Sequence, residues 1–223
     1  VLGMTVVVAL VLAGMYTVLK PIHDINEAVF NKRAAISAVK DVSNLSDEEL
    51  LQLFDEKVTQ FVFGADGKEA ENNEILAEKI DLAKELKKDE KNRKYPVYIY
   101  KDGGETFYIC QVRGKGLWDA IWAYVAVKSD ENTIAGVSFD HKGETPGLGA
   151  EIKDNPSFPK SFKGEKLINA EGEYESVKVQ KGGADPIDPH AVDAISGATI
   201  TGDGVTKMMQ SGMKPYLAYF KNN

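Results

Sequence analysis

Cysteine is almost missing from this sequence: Cys110 stands alone among 223 residues, so no internal disulfide can form and no thiolate metal cluster can assemble. Histidine is nearly as scarce. His23, His141 and His190 are scattered, and no Cys/His group has zinc-site spacing. Cationic blocks are absent too. Against 34 Asp and Glu there are 27 Lys and Arg, a net charge of −7, with no basic run long enough to neutralise a row of phosphates. Nucleic acid is excluded as a partner class. No G-x-G-x-x-G follows a strand-like run, so a dinucleotide-binding turn of that kind is not expected. Internal repeats and low-complexity linkers are also lacking.

Charge is wholly absent from Val1 to Leu19, where fifteen of nineteen residues are apolar. As a helix rising about 1.5 Å per residue, this stretch reaches about 28 Å, close to the roughly 30 Å hydrocarbon core of a bilayer. A cleavable leader has a shorter apolar region and a small-x-small site; residues 1–19 read instead as a retained membrane anchor. Lys20 is the one flanking charge, and a single flank does not orient a span.

Residues 20–55 read as a helical stalk and connecting helices. Asp24 and Glu27 have capping-box spacing after Pro21, with Ile25, Val29, Ile36 and Val39 on one face; Ser46 and Glu49 repeat that spacing before Leu50, Leu51, Leu53 and Phe54. A strand is expected over 57–63. From Glu74 to Lys94, Ile75, Leu76, Ile80, Ala83 and Leu86 share a face amid many charges, which predicts a solvated amphipathic helix. The texture then turns to β: PVYIYK, a Gly103-Gly104 turn, TFYICQVR, NTIAGVSFDH and YESVKVQ supply a core sheet, with Cys110 as a packed small hydrophobe. Apolar or small residues at 205, 208, 209, 212, 213, 216, 217 and 220 predict a long C-terminal helix packed on it. The fold class is α+β: an apolar N-terminal helix, then one soluble domain over 56–223 with an antiparallel central sheet and flanking helices.

Two loops hold more glycine and small hydroxyl residues than packing needs: Glu144-Thr145-Pro146-Gly147-Leu148-Gly149 and Asp193-Ala194-Ile195-Ser196-Gly197-Ala198-Thr199. The second lies just before the C-terminal helix, where hydroxyls and free amides meet the positive end of a helix dipole. The residues alone leave two readings open. One is an anion or phosphate site; in the other Thr199 or Thr201 is simply the helix N-cap.

Asp193-x-x-Ser196-Gly197-Ala198-Thr199 resembles the flavinylation signature D-x-x-[ST]-G-A-T of FMN-binding domains, in which the final threonine carries FMN through a phosphoester. Gly114-Lys115-Gly116-Leu117-Trp118, the 144–149 loop and Lys181-Gly182-Gly183-Ala184 follow the order and spacing of the C subunit of the sodium-translocating NADH:quinone oxidoreductase. The G subunit of the Rnf electron-transport complex shares the SGAT and ETPGLG-like loops, while GKGLW resembles the quinone reductase branch. A tethered interaction module without redox role is the remaining alternative, and the intact Thr199 argues against it.

The resemblance implies FMN attached through its phosphate to Thr199, with Ser196, Gly197 and Ala198 around the attachment and Asp193 either recognised by the modifying enzyme or capping the turn. Leu117, Trp118 and Leu148 become candidate ring neighbours, Glu144 and Thr145 candidate polar contacts, Gly147 a close-approach position, and Gly149 a further cofactor-binding position. Lys181 either stabilises an anionic reduced flavin or is a solvated turn residue. No histidine lies in the SGAT loop to activate a threonine hydroxyl, so a separate flavin transferase is implied for maturation. No catalytic residue and no metal ligand is assigned. The other implied partners are membrane lipid and the remaining subunits of a membrane-bound quinone reductase, in a bacterial inner membrane, single-pass, with the domain on the periplasmic side. Such a chain would not oxidise NADH alone.

Overall fold

The computed structural model describes residues 2–69 and 75–222; Val1 of the expected anchor, Glu74 of the expected amphipathic helix and Asn223 lie outside them. A long helix α1 (Leu2–Ser37) and a short α2 (Asp47–Lys57) precede five strands, β1 (Val58–Gly64), β2 (Lys94–Asp102), β3 (Glu105–Lys115), β4 (Ala120–Lys128) and β5 (Ile134–His141). A one-turn helix α3 (Leu82–Glu85) lies between β1 and β2. After β5 come α4 (Glu151–Asp154), α5 (Ser157–Ser161), β6 (Lys178–Gln180), β7 (Ala191–Asp193) and the C-terminal α6 (Thr199–Asn222).

The five strands form one antiparallel meander in the order β1-β2-β3-β4-β5, while β6 and β7 pair in parallel as a separate small sheet. Side chains alternate across the meander as strand period 2 requires. On β4, Ile121, Ala123, Val125 and Val127 enter a core with Val205, Met208, Met209 and Met213 of α6, whereas Tyr124 and Ala126 face a second core with Ile36, Val42, Leu50 and Phe54. The sheet is therefore covered on one face by α6 and on the other by the end of α1 and by α2, the α+β arrangement expected from the sequence.

Two details fix α6 on the sheet. Pro96 of β2 has no N–H to give, and the register that pairs Val97 with Cys110 would next set Pro96 against Gln111. The fully buried Tyr216 hydroxyl fills this break: it accepts from Gln111 N at 3.0 Å and lies 2.8 Å from Pro96 O and 2.9 Å from Gln111 O. Further along, Gly204 lies so close to β3 that an added Cβ would collide with Lys115 O and come within 3.3 Å of Gly116 Cα. Only glycine permits that helix-to-strand approach.

Several expectations are corrected. α1 does not restart after Pro21 but runs through it. A proline removes one hydrogen bond from the ladder, and Asp24, lying inside a helix already begun, makes an ion pair with Lys20 at 2.7 Å rather than a capping box. The Ser46–Glu49 box does form. The amphipathic helix over 74–94 is replaced by α3 flanked by single 3-10 turns at Ala77–Lys79 and Glu90–Asn92. Local side-chain bonds interrupt it: Asp81 caps Ala83 N and Lys84 N, Glu78 N donates to Gln60 Oε1, and Glu85 accepts from Lys94 N. The YESVKVQ run contributes only β6, outside the core sheet. β4, a strand of that sheet, went unread because AIWAYVAVK is buried on both faces and shows no polar alternation.

α1 leaves the domain in a defined direction. Ala38 O lies against Gly136 near the start of β5, while Phe30, eight residues earlier, receives Lys153 Nζ over its ring at 5.5 Å beside Asp140 at the strand's far end. The helix thus runs antiparallel to β5, and its exposed apolar part projects from the sheet end that carries the 116–119 turn and the 142–149 loop. Among the described residues one helix is long and apolar enough to cross a membrane: Gly3–Ser37, with a mean hydropathy of 1.9 in its most apolar window.

Candidate functional site

At that end three segments meet: the β3–β4 turn, the loop after β5 and the start of α6. Glu144 holds them together. Its carboxylate, 4% exposed, accepts from Trp118 N at 2.9 Å, Leu117 N at 3.3 Å, Asp119 N at 3.4 Å and Thr201 Oγ1 at 2.6 Å. Burial alone raises its pKa, but the hydroxyl of Thr201 and the three amides favour the ionised form and hold it below its ordinary value. The close approach falls at Gly116 and Gly149. A Cβ on Gly116 would lie 2.6 Å from Glu144 Oε1, and one on Gly149 would be 2.6 Å from Thr201 Oγ1. Gly147 is different: its φ of +74° needs glycine, but a Cβ there meets nothing.

The α6 start distinguishes its two threonines. Ala198 O accepts the first intrahelical bond, from Gly202 N at 2.9 Å, so the N–H groups of Thr199, Ile200 and Thr201 have no partner within the helix. Thr201 is 1% exposed and its hydroxyl is committed to Glu144. Thr199 is exposed, and among the described residues its hydroxyl makes no hydrogen bond. Neither is the side-chain N-cap, because Ala198 occupies that position.

The segments that meet there carry four exposed apolar side chains, Leu117, Trp118, Leu148 and Ile200, at 44%, 67%, 41% and 57% exposure. Trp118 is oriented by a 3.0 Å bond from Nε1 to Thr145 Oγ1. Gly197, at φ +78°, presses on Leu148 so closely that a Cβ would be 2.7 Å from Leu148 Cδ2, which ties the two glycine-rich loops together. Ser196 is exposed within the turn and Ala198 is buried beneath it.

The fourth motif also reaches this place. β6 pairs with β7 so that Gln180 lies beside Asp193, and Asp193 Oδ1 accepts from Ala184 N at 2.7 Å. Asp193 therefore fastens the 181–184 turn and not the SGAT turn that follows it. Lys181 is exposed at the end of β6, with no ion pair among the described residues. All thirteen residues singled out from the sequence thus lie in segments that converge. Sequence reasoning missed Thr201 as the partner of Glu144, Gly116 beneath that carboxylate, and Ile200 as part of the apolar rim. Ile200 alone had a legible signal, an apolar residue between two threonines at a polar helix start.

The pieces fit a phosphorylated, planar aromatic group: a free hydroxyl and unpaired amides at the positive end of a 24-residue helix, beside an exposed apolar and aromatic patch. Comparison with known proteins agrees. The family described as FMN-binding domain matches residues 116–214. The C subunit of the Na(+)-translocating NADH-quinone reductase of Haemophilus ducreyi is 32% identical over 237 residues, covering 98% of this chain and 91% of that one. Its counterpart in Vibrio anguillarum is 42% identical over 128 residues, 55% of this chain and 49% of the relative, so that alignment spans about half of the Vibrio protein's length. The crystal structure of the same kind of subunit from Parabacteroides distasonis superimposes with a TM-score of 0.81 at 33% identity, covering 92% of this chain and 98% of that one.

Proposed function

The chain belongs to the family formed by the C subunits of Na(+)-translocating NADH-quinone reductases, and on that premise we propose that it carries FMN esterified through phosphate to Thr199 and exchanges electrons inside a membrane-bound quinone reductase. One observation carries the attachment site: of the two threonines at the α6 start, Thr199 has an exposed hydroxyl with no partner among the described residues, while the Thr201 hydroxyl is buried on Glu144. A modifying enzyme can reach only the first.

FMN, when bound, supplies one-electron transfer. The chain's own residues do the rest. The amides of Thr199, Ile200 and Thr201, which have no partner within the helix, would stabilise the phosphate charge. Leu117, Trp118, Leu148 and Ile200 offer the apolar surface a flavin ring needs, and Thr145 keeps the indole of Trp118 oriented. Glu144 acts from beneath by fixing three segments. Asp193 holds the 181–184 turn, and the exposed Lys181 there would supply a positive charge to an anionic reduced flavin.

In this reading residues 1–19 lie in a bacterial inner membrane. Residues 20–55 connect, the later part covering one sheet face, and 56–223 carry the cofactor on the periplasmic side. Other subunits of the complex deliver and remove electrons, and a flavin transferase performs the esterification, since the SGAT loop holds no histidine to activate the Thr199 hydroxyl.

Co-expression of the full chain with a flavin transferase tests the reading. Thr201→Val should keep a fluorescent band after denaturation and the mass of one FMN less water; Thr199→Val should lose both. A fluorescent Thr199→Val chain beside a dark Thr201→Val chain would falsify the assignment.

A further inference from the structure

β5 is an edge strand of the meander and pairs with β4 on one side only. Which of its backbone groups stay open follows from the register. Gln111 turns its N–H and C=O toward the Tyr216 hydroxyl, away from β4. Its cross-strand partner Tyr124 therefore turns its own toward β5, where it bonds Ser138. Backbone groups alternate sides along an antiparallel strand, so Val137 and Phe139 point theirs outward. Among the described residues nothing pairs with them.

Both ends of this edge are closed. Ile134 N donates to Glu165 O at 2.8 Å and Ile134 O accepts from Gly164 N at 2.9 Å, while His141 N donates to the Asp140 carboxylate at 2.8 Å. Between these caps a groove of about 290 Å³ borders residues 137–140. One wall is a stripe of α1, Phe30, Arg33, Ala34 and Ser37, at the i, i+3, i+4, i+7 spacing of one helix face; Lys153 and Pro159 stand opposite. Phe30 is exposed. The charges are already matched, Arg33 with Asp47 at 2.7 Å and Lys153 with Asp140 at 2.8 Å, so an ion has nothing to neutralise there. Two backbone donors, their two acceptors and an apolar flank are what an added β-strand uses. None of these residues belongs to the flavin site.

A symmetric pair of copies does not fill the groove. Because α1 runs antiparallel to β5, two β5 edges joined antiparallel would point their α1 helices in opposite directions, and both could not enter one membrane from the same side. The two-fold axis that keeps both anchors in one membrane runs along the strands, and it sets each N–H against the same N–H of the other copy. A head-to-tail array would need the other edge, β1, whose end already carries residues 68 and 69: Gly64 N donates to Lys68 O, and Phe63 bridges to Glu69. The strand has to come from a different polypeptide.

We propose that this groove receives an extended segment of another polypeptide of the complex, added to β5 as a sixth strand, with its backbone on Val137 and Phe139 and an apolar side chain over Phe30. The proposal rests on the reading above, in which the chain is membrane-anchored and works inside an assembly. The caps at Ile134 and His141 limit the added strand to a few residues, and α1 on one side fixes its place relative to the anchor.

The test compares, by hydrogen exchange, the full chain purified alone in detergent with the same chain in the assembled complex. The Val137 and Phe139 amides should exchange fast in the chain alone and about tenfold or more slower in the complex, whereas the Ser138 amide, bonded to β4, stays slow in both. Ala34→Trp fills the groove, and Ser37→Trp does so from an exposed position that the core does not need. Either should return both edge amides to fast exchange among the other subunits and lower the share of chain that copurifies with them, and Ser37→Trp should leave the melting temperature of the isolated chain unchanged. A photoreactive benzophenone residue in place of Phe30 should cross-link to a peptide of another subunit. Equal exchange of the edge amides in chain and complex overturns the proposal, as do slow edge amides in the tryptophan variants within the complex, or a cross-link to a second copy or to lipid alone. Two failures stay distinct: a complex that forms with unprotected edge amides refutes the groove alone, whereas a flavin-carrying chain that copurifies with no other subunit refutes the assembly and the proposal with it.

Discussion

Glu144 Oε2 accepts the Thr201 hydroxyl at 2.6 Å across 57 residues of sequence, and the same carboxylate holds three amides of the β3–β4 turn. The residue read from the sequence as a polar contact to the flavin has its bonds committed to the protein itself. A carboxylate is required there because all four groups are donors; an amide would turn an N–H toward at least one of them.

Glu144→Gln is therefore expected to lose stability at neutral pH, about 1.5–3 kcal/mol for bonds to a charged group, or roughly 2–4 °C in Tm for each kcal/mol in a chain of this size. The sign with pH follows from linkage. Because hydrogen bonds hold the folded pKa below its ordinary value of 4.5, the ionised carboxylate stabilises the fold above that value. This contribution is lost as pH falls through the folded pKa. Thermal melts from about pH 8 to pH 3.5 should show a constant gap between wild type and variant near neutrality that closes in acid. A gap that widens in acid would refute the assigned role.

Tyr216→Phe keeps the ring and removes the hydroxyl that fills the break beside Pro96. Gln111 N–H is then buried without its acceptor, at a cost of about 1–3 kcal/mol. Hydrogen exchange should report the loss locally: the Gln111 amide should exchange faster than in wild type, while the Val125 amide in mid-β4 follows only the global change. An unaltered Gln111 amide would mean that the ladder closes without Tyr216.

What the sequence showed and what it hid follow from the range of each interaction. α6 and the Ser46–Glu49 box were legible because helix periodicity and capping are local. The strands that alternate, or that carry dense β-branched and aromatic runs, were legible too. β4 was hidden by burial on both faces, and the 75–92 segment by side-chain bonds to Gln60 and Lys94, which propensity cannot foresee. The site loops were legible through resemblance. The Glu144–Thr201 pairing was not, because its partners are brought together only by the packing of α6 on β3 through Gly204.

The apolar end of α1 and its packed end should separate by truncation. Removing residues 1–19 should leave the melting temperature of the domain unchanged, since residues 3–19 of the helix are exposed. Removing residues 1–40 also takes Ala35, Ile36 and Ala38, which are 1%, 0% and 3% exposed against the sheet. Truncating a buried isoleucine alone costs about 2–5 kcal/mol, so this chain should aggregate or melt far lower. Equal melting temperatures for the two truncations would show that α1 contributes nothing to the domain core.

The contact between the two glycine-rich loops gives the last prediction. Gly147 and Gly197 both need a positive φ, so alanine strains either by about 1–2 kcal/mol. Only at Gly197 would the new Cβ also strike a neighbour, Leu148 Cδ2 at 2.7 Å; at Gly147 it meets open space. Leu148 belongs to the apolar rim, and its side-chain end is free to swing out. Gly147→Ala should therefore lower the melting temperature while the attached flavin keeps its absorption spectrum and midpoint potential. Gly197→Ala should lower it by a similar amount and shift both flavin properties, because the ring loses the Leu148 surface. Co-expression with the transferase, followed by melting and redox titration of the same preparations, compares the two. If the potentials of the two variants coincide, Leu148 does not touch the ring and the rim must be redrawn around Leu117, Trp118 and Ile200.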